Sequence, residues 1–249
     1  MAGIYIHIPF CKQKCTYCDF HFRTNFQSYQ SRMLDCLVRE LELRKKELNN
    51  EVIESIYFGG GTPSILSINE IKSLLQKTKL HYEIHPDCEV TLEANPDDIN
   101  SKKCKEWIQA GVNRLSIGIQ SFDQEDLNWM NRAHNAAQSL SAVEFAQQAG
   151  FSNISIDLIY GLPNMSVERW EKQLSTALNL NVQHISSYCL TVEEKTALHY
   201  AVKNKQLTPA DNELQSAHFN NMLRALKEGG YEHYEISNFA LKGKYSKHN

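Results

Sequence analysis

The sequence contains no apolar run near the roughly 18 residues that a membrane-spanning helix needs, so nothing in its 249 residues reads as an integral membrane segment. An excess of either charge is also missing. Lys and Arg total 26 against 29 Asp and Glu, a net charge of -3, and that balance gives no electrostatic case for nucleic acid. The opening stretch MAGIYIHIPF lacks a basic n-region and carries His7 and Pro9, which makes a poor signal peptide. The expected compartment is the cytoplasm, where thiols stay reduced. There is no low-complexity segment and no linker. No GxGxxG follows the first strand-like segment, and no GK[ST] follows the glycine cluster, so dinucleotide-fold and phosphate-loop readings both fail.

What is present is an alternation of short apolar segments with longer amphipathic ones. Residues 4–8, 55–58, 89–94, 114–120, 153–161 and 184–190 are rich in β-branched residues and read as strands. Residues 28–48, 67–79, 101–110, 135–149 and 166–180 carry helical periodicity. Ser67 with Glu70 has the spacing of a capping box, Ser166 can cap its helix, and Gly111 and Gly150 stand where helices end left-handed. Six such units predict an α/β fold, a partial (β/α) barrel with helices outside a parallel sheet. Residues 211–230 then read as a helix and 231–240 as a strand, and the chain stops at KGKYSKHN with no closing element. The expected division is a barrel over 1–210 and the start of a truncated C-terminal region over 211–249.

Seven cysteines in a reducing compartment read as metal ligands and core thiols, not a disulfide framework. Cys11, Cys15 and Cys18 form CxxxCxxC in a loop directly after the first strand, and no second cysteine pair exists. A closed zinc site takes four ligands, and His21 is the one residue at hand to make up the number. A [4Fe–4S] cluster also takes four thiolates as a rule; held by three, it leaves one iron open. Cys36, Cys88, Cys104 and Cys189 read as buried small hydrophobes, and His7 as a satisfied polar residue.

Other residues gather at the same ends of the strands. The three glycines of YFGGGTPS allow close backbone approach and positive φ. Glu93 ends the third strand, Gln120 ends the fourth, and Asp157 interrupts an apolar fifth strand. A carboxylate there is costly unless it is paired, and Arg132 is a candidate partner for Asp157.

The CxxxCxxC loop resembles the signature of the radical S-adenosylmethionine (SAM) superfamily. The linked strings HIPFC, CDF, FGGGTPS, LEANP, LSIGIQSF, NRAH and DLIYGLP are similar to one branch of it, which holds the oxygen-independent coproporphyrinogen III oxidases and the HemW-type heme chaperones. The resemblance implies a radical SAM partial (β/α)6 barrel with a short C-terminal α/β extension. It implies a [4Fe–4S] cluster on Cys11, Cys15 and Cys18, with SAM chelated to the open iron and cleaved by one electron to a 5′-deoxyadenosyl radical. By the same resemblance Tyr17 lies near the adenine and Gly60, Gly61 and Thr62 meet the SAM amino group. Tyr5, Phe20, Glu93, Gln120, Asp157 and Ile159 complete the SAM site, and Arg132 offers a charge to the SAM carboxylate.

Within the branch the resemblance leaves two functions, an oxidase that decarboxylates two porphyrinogen propionates and a carrier that binds heme and passes it to client hemoproteins. The oxidases add a cysteine two residues after the third ligand, where this chain has Phe20. They also carry an N-terminal extension, whereas the first strand here starts almost at Met1. Both differences match the heme chaperones. His248-Asn249 resembles the first half of their HNxxYW motif, which makes His248 a candidate heme ligand. The implied partners are heme or porphyrin, client hemoproteins and an electron donor.

Overall fold

The computed structural model describes residues 2–249. Six strands follow one another in parallel, each beside the next: β1 (Ala2–Ile8), β2 (Ile53–Gly60), β3 (Ile84–Ala94), β4 (Arg114–Gln120), β5 (Ile154–Tyr160) and β6 (His184–Cys189). Helices α1 (Gln30–Leu43), α2 (Ile68–His81), α3 (Ser101–Ala110), α4 (Gln124–Trp129), α5 (Ala136–Ala149) and α6 (Val167–Asn179) connect them and cover the outer face. Strands covered by helices in this way are apolar nearly throughout, as in Ile154-Ser155-Ile156 and Leu158-Ile159-Tyr160 around the single Asp157. Trp107 of α3 and Trp170 of α6 are fully buried between helix and sheet.

The helix ends are written in the sequence. Ser67 and Glu70 form the reciprocal capping box, Ser166 accepts from Arg169 N, and Gly111 (φ +104°) and Gly150 (φ +108°) close α3 and α5 left-handed. Such a cap contributes about 1 kcal/mol. Three expectations differ from the structure. The first helix stops at Leu43, because residues 44–50 form successive turns with Asn49 and Asn50 at positive φ. Two short helices, α4 and α7 (Ala197–Lys203), lie in connections too brief to show periodicity, and each is capped by its Asp123 or Thr196 side chain.

The third difference is at the C-terminus. Helix α8 (Asn212–Glu228) leads into a hairpin of β7 (Tyr231–Glu235) and β8 (Asn238–Leu241), not one strand. Its two-residue turn, Ile236-Ser237, lacks the Asn-Gly chemistry that announces a hairpin; the Glu235 carboxylate accepts from Ser237 N and Asn238 Nδ2 instead. Strand β8 pairs antiparallel with β6, so the sheet runs β1-β2-β3-β4-β5-β6-β8-β7 and stays open between β1 and β7.

Candidate cofactor site

The cysteine loop begins where β1 ends. Its neck is closed by backbone pairing of Phe10 with Arg23: Cys11 N donates to Arg23 O (3.1 Å) and Arg23 N to Pro9 O (2.9 Å). Phe10, fully buried, stacks on Phe26 with centroids 4.8 Å apart. The loop is then tied to three distant segments. Lys12 Nζ donates to Asp97 Oδ2 (2.7 Å) and to Asp98, a buried carboxylate that also accepts from Ser64 Oγ (2.8 Å). Gln13 Nε2 donates to Asn131 Oδ1 (2.7 Å), and Asn131 Nδ2 to Lys14 O (2.7 Å). Thr16 N donates to Met130 O, and Leu198 N to Thr16 O. A surface loop is ordinarily the loosest part of a domain; these ties hold this one over the barrel mouth.

The glycines at and just after the end of β2 serve the loop directly. Gly61 N donates to Ile8 O (2.9 Å) and Thr62 N to Phe10 O (2.7 Å). A Cβ on Gly61 would lie 2.6 Å from Phe10 O, and one on Gly60 2.5 Å from the His7 ring. Gly60 also sits at φ +110°, a conformation that excludes ordinary side chains. These residues are therefore small first because the chain packs on itself here, and the same strip then faces the cavity.

That cavity, about 640 Å³, lies inside the strand ends beneath the loop. All three loop cysteines line it, together with Tyr17, Phe20, Gly60, Gly61, Thr62, Glu93, Gln120, Arg132, Asp157 and Ile159. Thr62 Oγ1 donates to Cys11 Sγ (3.3 Å) and Arg132 Nη1 to Cys15 Sγ (3.4 Å). Burial pushes the Cys11 thiol up to about 11; the Thr62 bond opposes this, Cys18 and Cys15 add to it, and Arg132 opposes it. Burial works against the Arg132 charge, but Tyr17 and Cys15 more than offset it and hold the guanidinium above its ordinary value. Burial raises the Tyr17 phenol as well.

The carboxylates stand deeper. Glu93 Oε1 accepts from Tyr57 OH (2.9 Å) and Oε2 from Gly60 N (3.1 Å). Burial first, then the Asp157 charge, lifts Glu93 to about 7 against those two donors and Arg114. Burial lifts Asp157 to about 6, opposed by Ser186, Arg114 and Ser116, whose Oγ donates to Oδ1 (3.3 Å). Arg132 does not pair with Asp157 as anticipated: its Nη2 donates to Asn95 Oδ1 (2.8 Å) and Gly118 O (2.7 Å). Gln120 sits at φ +66°, where the β4–β5 register slips, at a cost of about 1–2 kcal/mol for a residue with a Cβ.

Two expected residues lie elsewhere. Tyr5 is on the inner face of β1 but does not line the cavity; it stacks on Tyr57 (6.0 Å) and hydrogen-bonds to the His7 ring (3.2 Å). His248 is half-buried below the cavity, at the opposite end of the strands from the cysteine loop, packed against Tyr57. Cys36 is exposed on α1, so it is not a core thiol, and Cys189 lines the cavity wall. Sequence reasoning missed Lys12, Tyr57, Asn95 and Arg114. Arg114 is 2 % exposed inside the barrel, its Nε without a hydrogen bond but 4.0 Å from Glu89 Oε2; a charge opening the apolar strand RLSIGIQ was its one visible sign.

The donor set fits an iron–sulfur cluster. Three half-buried thiols face one cavity, and a guanidinium sits against them to offset thiolate charge. Among the described residues no three His, Cys, Asp or Glu converge tightly enough for a single ion, and a cluster whose thiolates each take a separate iron does not require that. Beside the thiols, a buried acidic pair offers a place to a cationic small molecule. Fold and site together define a half-open α/β barrel that presents three cysteine thiols to a cavity open at the strand ends.

Comparison with known proteins places this class. The radical SAM superfamily model matches residues 5–177, and the chain belongs to that superfamily. It is 38% identical over 99% of its length to the heme chaperone HemW of Haemophilus influenzae, and 37% identical over its full length to that of Bacillus subtilis. It is also 35% identical to the mitochondrial radical S-adenosyl methionine domain-containing protein 1 of Danio rerio. The chain spans 65%, 66% and 56% of these three relatives. Among solved structures, the radical SAM enzyme coproporphyrinogen III oxidase of Escherichia coli superposes on 97% of this chain and 56% of its own, with a TM-score of 0.86 at 26% identity. The open, mostly parallel sheet is thus the radical SAM fold, and that family implies a [4Fe–4S] cluster and SAM. No helix of the described residues is long and apolar enough to cross a membrane.

Proposed function

We propose that this chain is the radical SAM portion of a heme chaperone of the HemW type, which binds heme and delivers it to client hemoproteins in the cytoplasm. The observation that carries the reading is Phe20. The position where the related oxidases place a further cysteine holds a phenylalanine, 69% exposed at the rim of the cavity. Phe20 and Tyr188, 46% exposed on the far side of the mouth, offer apolar and aromatic surface to a flat macrocycle. Similarity to several heme chaperones over nearly the whole chain supports the same choice.

Cys11, Cys15 and Cys18 would hold the cluster, and Arg132 and Thr62 would stabilise thiolate charge. When bound, the cluster would supply an open iron and, with an external donor, one electron. Glu93 and Asp157 would offer negative charge to the sulfonium of SAM. Gly60 and Gly61 let backbone approach it, and Tyr17, Gln120 and Ile159 pack around the nucleoside. His248, the candidate heme ligand, lies against Tyr57 with its Nδ1 on Ser55 Oγ, so ligation would fall to Nε2.

The oxidase reading is favoured by one fact, the superposition on coproporphyrinogen III oxidase. Anaerobic heme titration of the reconstituted full-length protein, followed by transfer to an apo-acceptor, tests the two. A stoichiometric, transferable heme complex is expected, with no propionate decarboxylation of coproporphyrinogen III in the presence of SAM and reductant. Formation of protoporphyrinogen overturns the carrier reading.

A further inference from the structure

Residues 246–249 run beneath the cavity and are anchored on both sides. Lys247 N donates to Glu89 Oε1 (3.0 Å), Lys247 Nζ to Asp87 O (2.9 Å), and Asn249 Nδ2 to Tyr234 OH (3.2 Å). Between these anchors the His248 ring packs against Tyr57, centroids 5.0 Å apart and planes within 26°. Its Nδ1 shares a 3.0 Å hydrogen bond with Ser55 Oγ. Ser55 and Tyr57 are alternate residues of β2 and so project to one face. Gly3 of β1 completes the seat: a Cβ there would lie 2.6 Å from Ser55 Oγ and 3.3 Å from His248 Nδ1. A contact on each of two strands, and room left by a glycine, make this a built position for an imidazole.

Tyr57 links that position to the cavity, since its hydroxyl donates to Glu93 Oε1. We propose that His248 is a positioning residue for Glu93, acting through Tyr57. Its ring fixes the Tyr57 side chain so that one oxygen of Glu93 is held by the phenol, the other by Gly60 N, and the carboxyl faces the cavity in one orientation. With the ring gone, Tyr57 keeps the more distant Tyr5 ring as its one stacked partner (6.0 Å), gains space to turn away, and Glu93 loses a donor. The inference deepens the SAM reading above and rests on it for its affinity readout.

The test compares His248→Ala, His248→Phe and Tyr57→Phe in the full-length protein. SAM affinity is read from the EPR change of the reduced cluster on titration. The Glu93 midpoint is read separately, by carboxyl-carbon NMR of cluster-free protein labelled at glutamate. The groups facing Glu93 are Tyr57, Gly60, Asp157, Arg114, Tyr5 and Tyr188, and the two His248 variants leave all six in place. Loss of the ring in His248→Ala should weaken SAM about three- to tenfold, the range of an aromatic pair, and raise the Glu93 midpoint because a donor to the charged form is lost. His248→Phe should restore both, and Tyr57→Phe should raise the midpoint with the ring packing kept. A Glu93 midpoint in His248→Ala equal to that of the unaltered protein overturns the proposal. If the unaltered protein fails to bind SAM, the cofactor reading falls, and the midpoint alone decides the role of His248.

Discussion

Replacing Glu93 by Gln should make the cluster-free protein more stable in a way that grows with pH. The folded chain holds the Glu93 proton to about pH 7, mainly through burial, against 4.5 for the free side chain. Between those values the folded state keeps a proton that the unfolded state has released, so folding stability falls as pH rises through the interval and stays low above it. At about 1.4 kcal/mol per pH unit, the carboxyl costs the fold about 3 kcal/mol by neutral pH. Gln cannot ionise and escapes that decline. It also sets an amide nitrogen against Tyr57 OH or Gly60 N, a fixed penalty of about 1–3 kcal/mol. The stability difference between variant and unaltered protein should therefore be near zero or negative at about pH 5 and rise by about 2–3 kcal/mol toward about pH 8. His134 and His184 titrate oppositely, since burial lowers both to about 3, but they are common to both proteins and subtract out. Equilibrium urea unfolding at several pH values reads the difference. A difference that is flat or falls with pH would refute the reasoning, because it would mean that the buried carboxyl ionises as freely as an exposed one.

Other expectations follow from the same geometry. Cys15→Ala should abolish the iron–sulfur absorption and the EPR signal of the reduced protein; survival of either removes the cluster assignment. Asp98→Ala strips a 3 %-exposed carboxylate from Lys12, Lys103 and Ser64. It should destabilise the protein by about 1–2 kcal/mol in denaturant melts and lower iron content after reconstitution; unchanged iron content would mean the Lys12 tie does not organise the loop. Gly61→Ala drives a methyl against Phe10 backbone, so the barrel should fold with normal circular dichroism while cluster incorporation fails. Full incorporation would show that the loop yields at little cost.

Legibility from sequence followed the range of the interaction. The six parallel strands, the capping box at Ser67 and the left-handed ends at Gly111 and Gly150 are local patterns, and the structure has all of them. Glu93, Gln120 and Asp157 could be named because they sit at or near strand ends, which a βα repeat brings to one rim; Tyr17, Thr62 and Ile159 came from the family resemblance. What escaped was pairwise. Nothing near Arg132 in sequence says that its partners are Asn95 and Gly118 O. Nor does the string KGKYSKHN say that its histidine folds back beneath β2 to lie on Tyr57. The glycines of FGGGTPS were read for their openness to a ligand; their crowding against His7 and Phe10 needs the third dimension.

The ties on the cysteine loop also set an order of assembly. Lys12 reaches residues 85 and 86 positions away, Gln13 and Cys15 meet partners 118 and 117 positions on, and Thr16 accepts from Leu198. Contacts this distant in sequence form late, once the entropy of closing the intervening chain has been met. The three thiols therefore take up their arrangement only when the chain through Leu198 has folded, although they lie within its first twenty residues. On that order, iron and sulfide would meet a folded barrel and not a nascent segment.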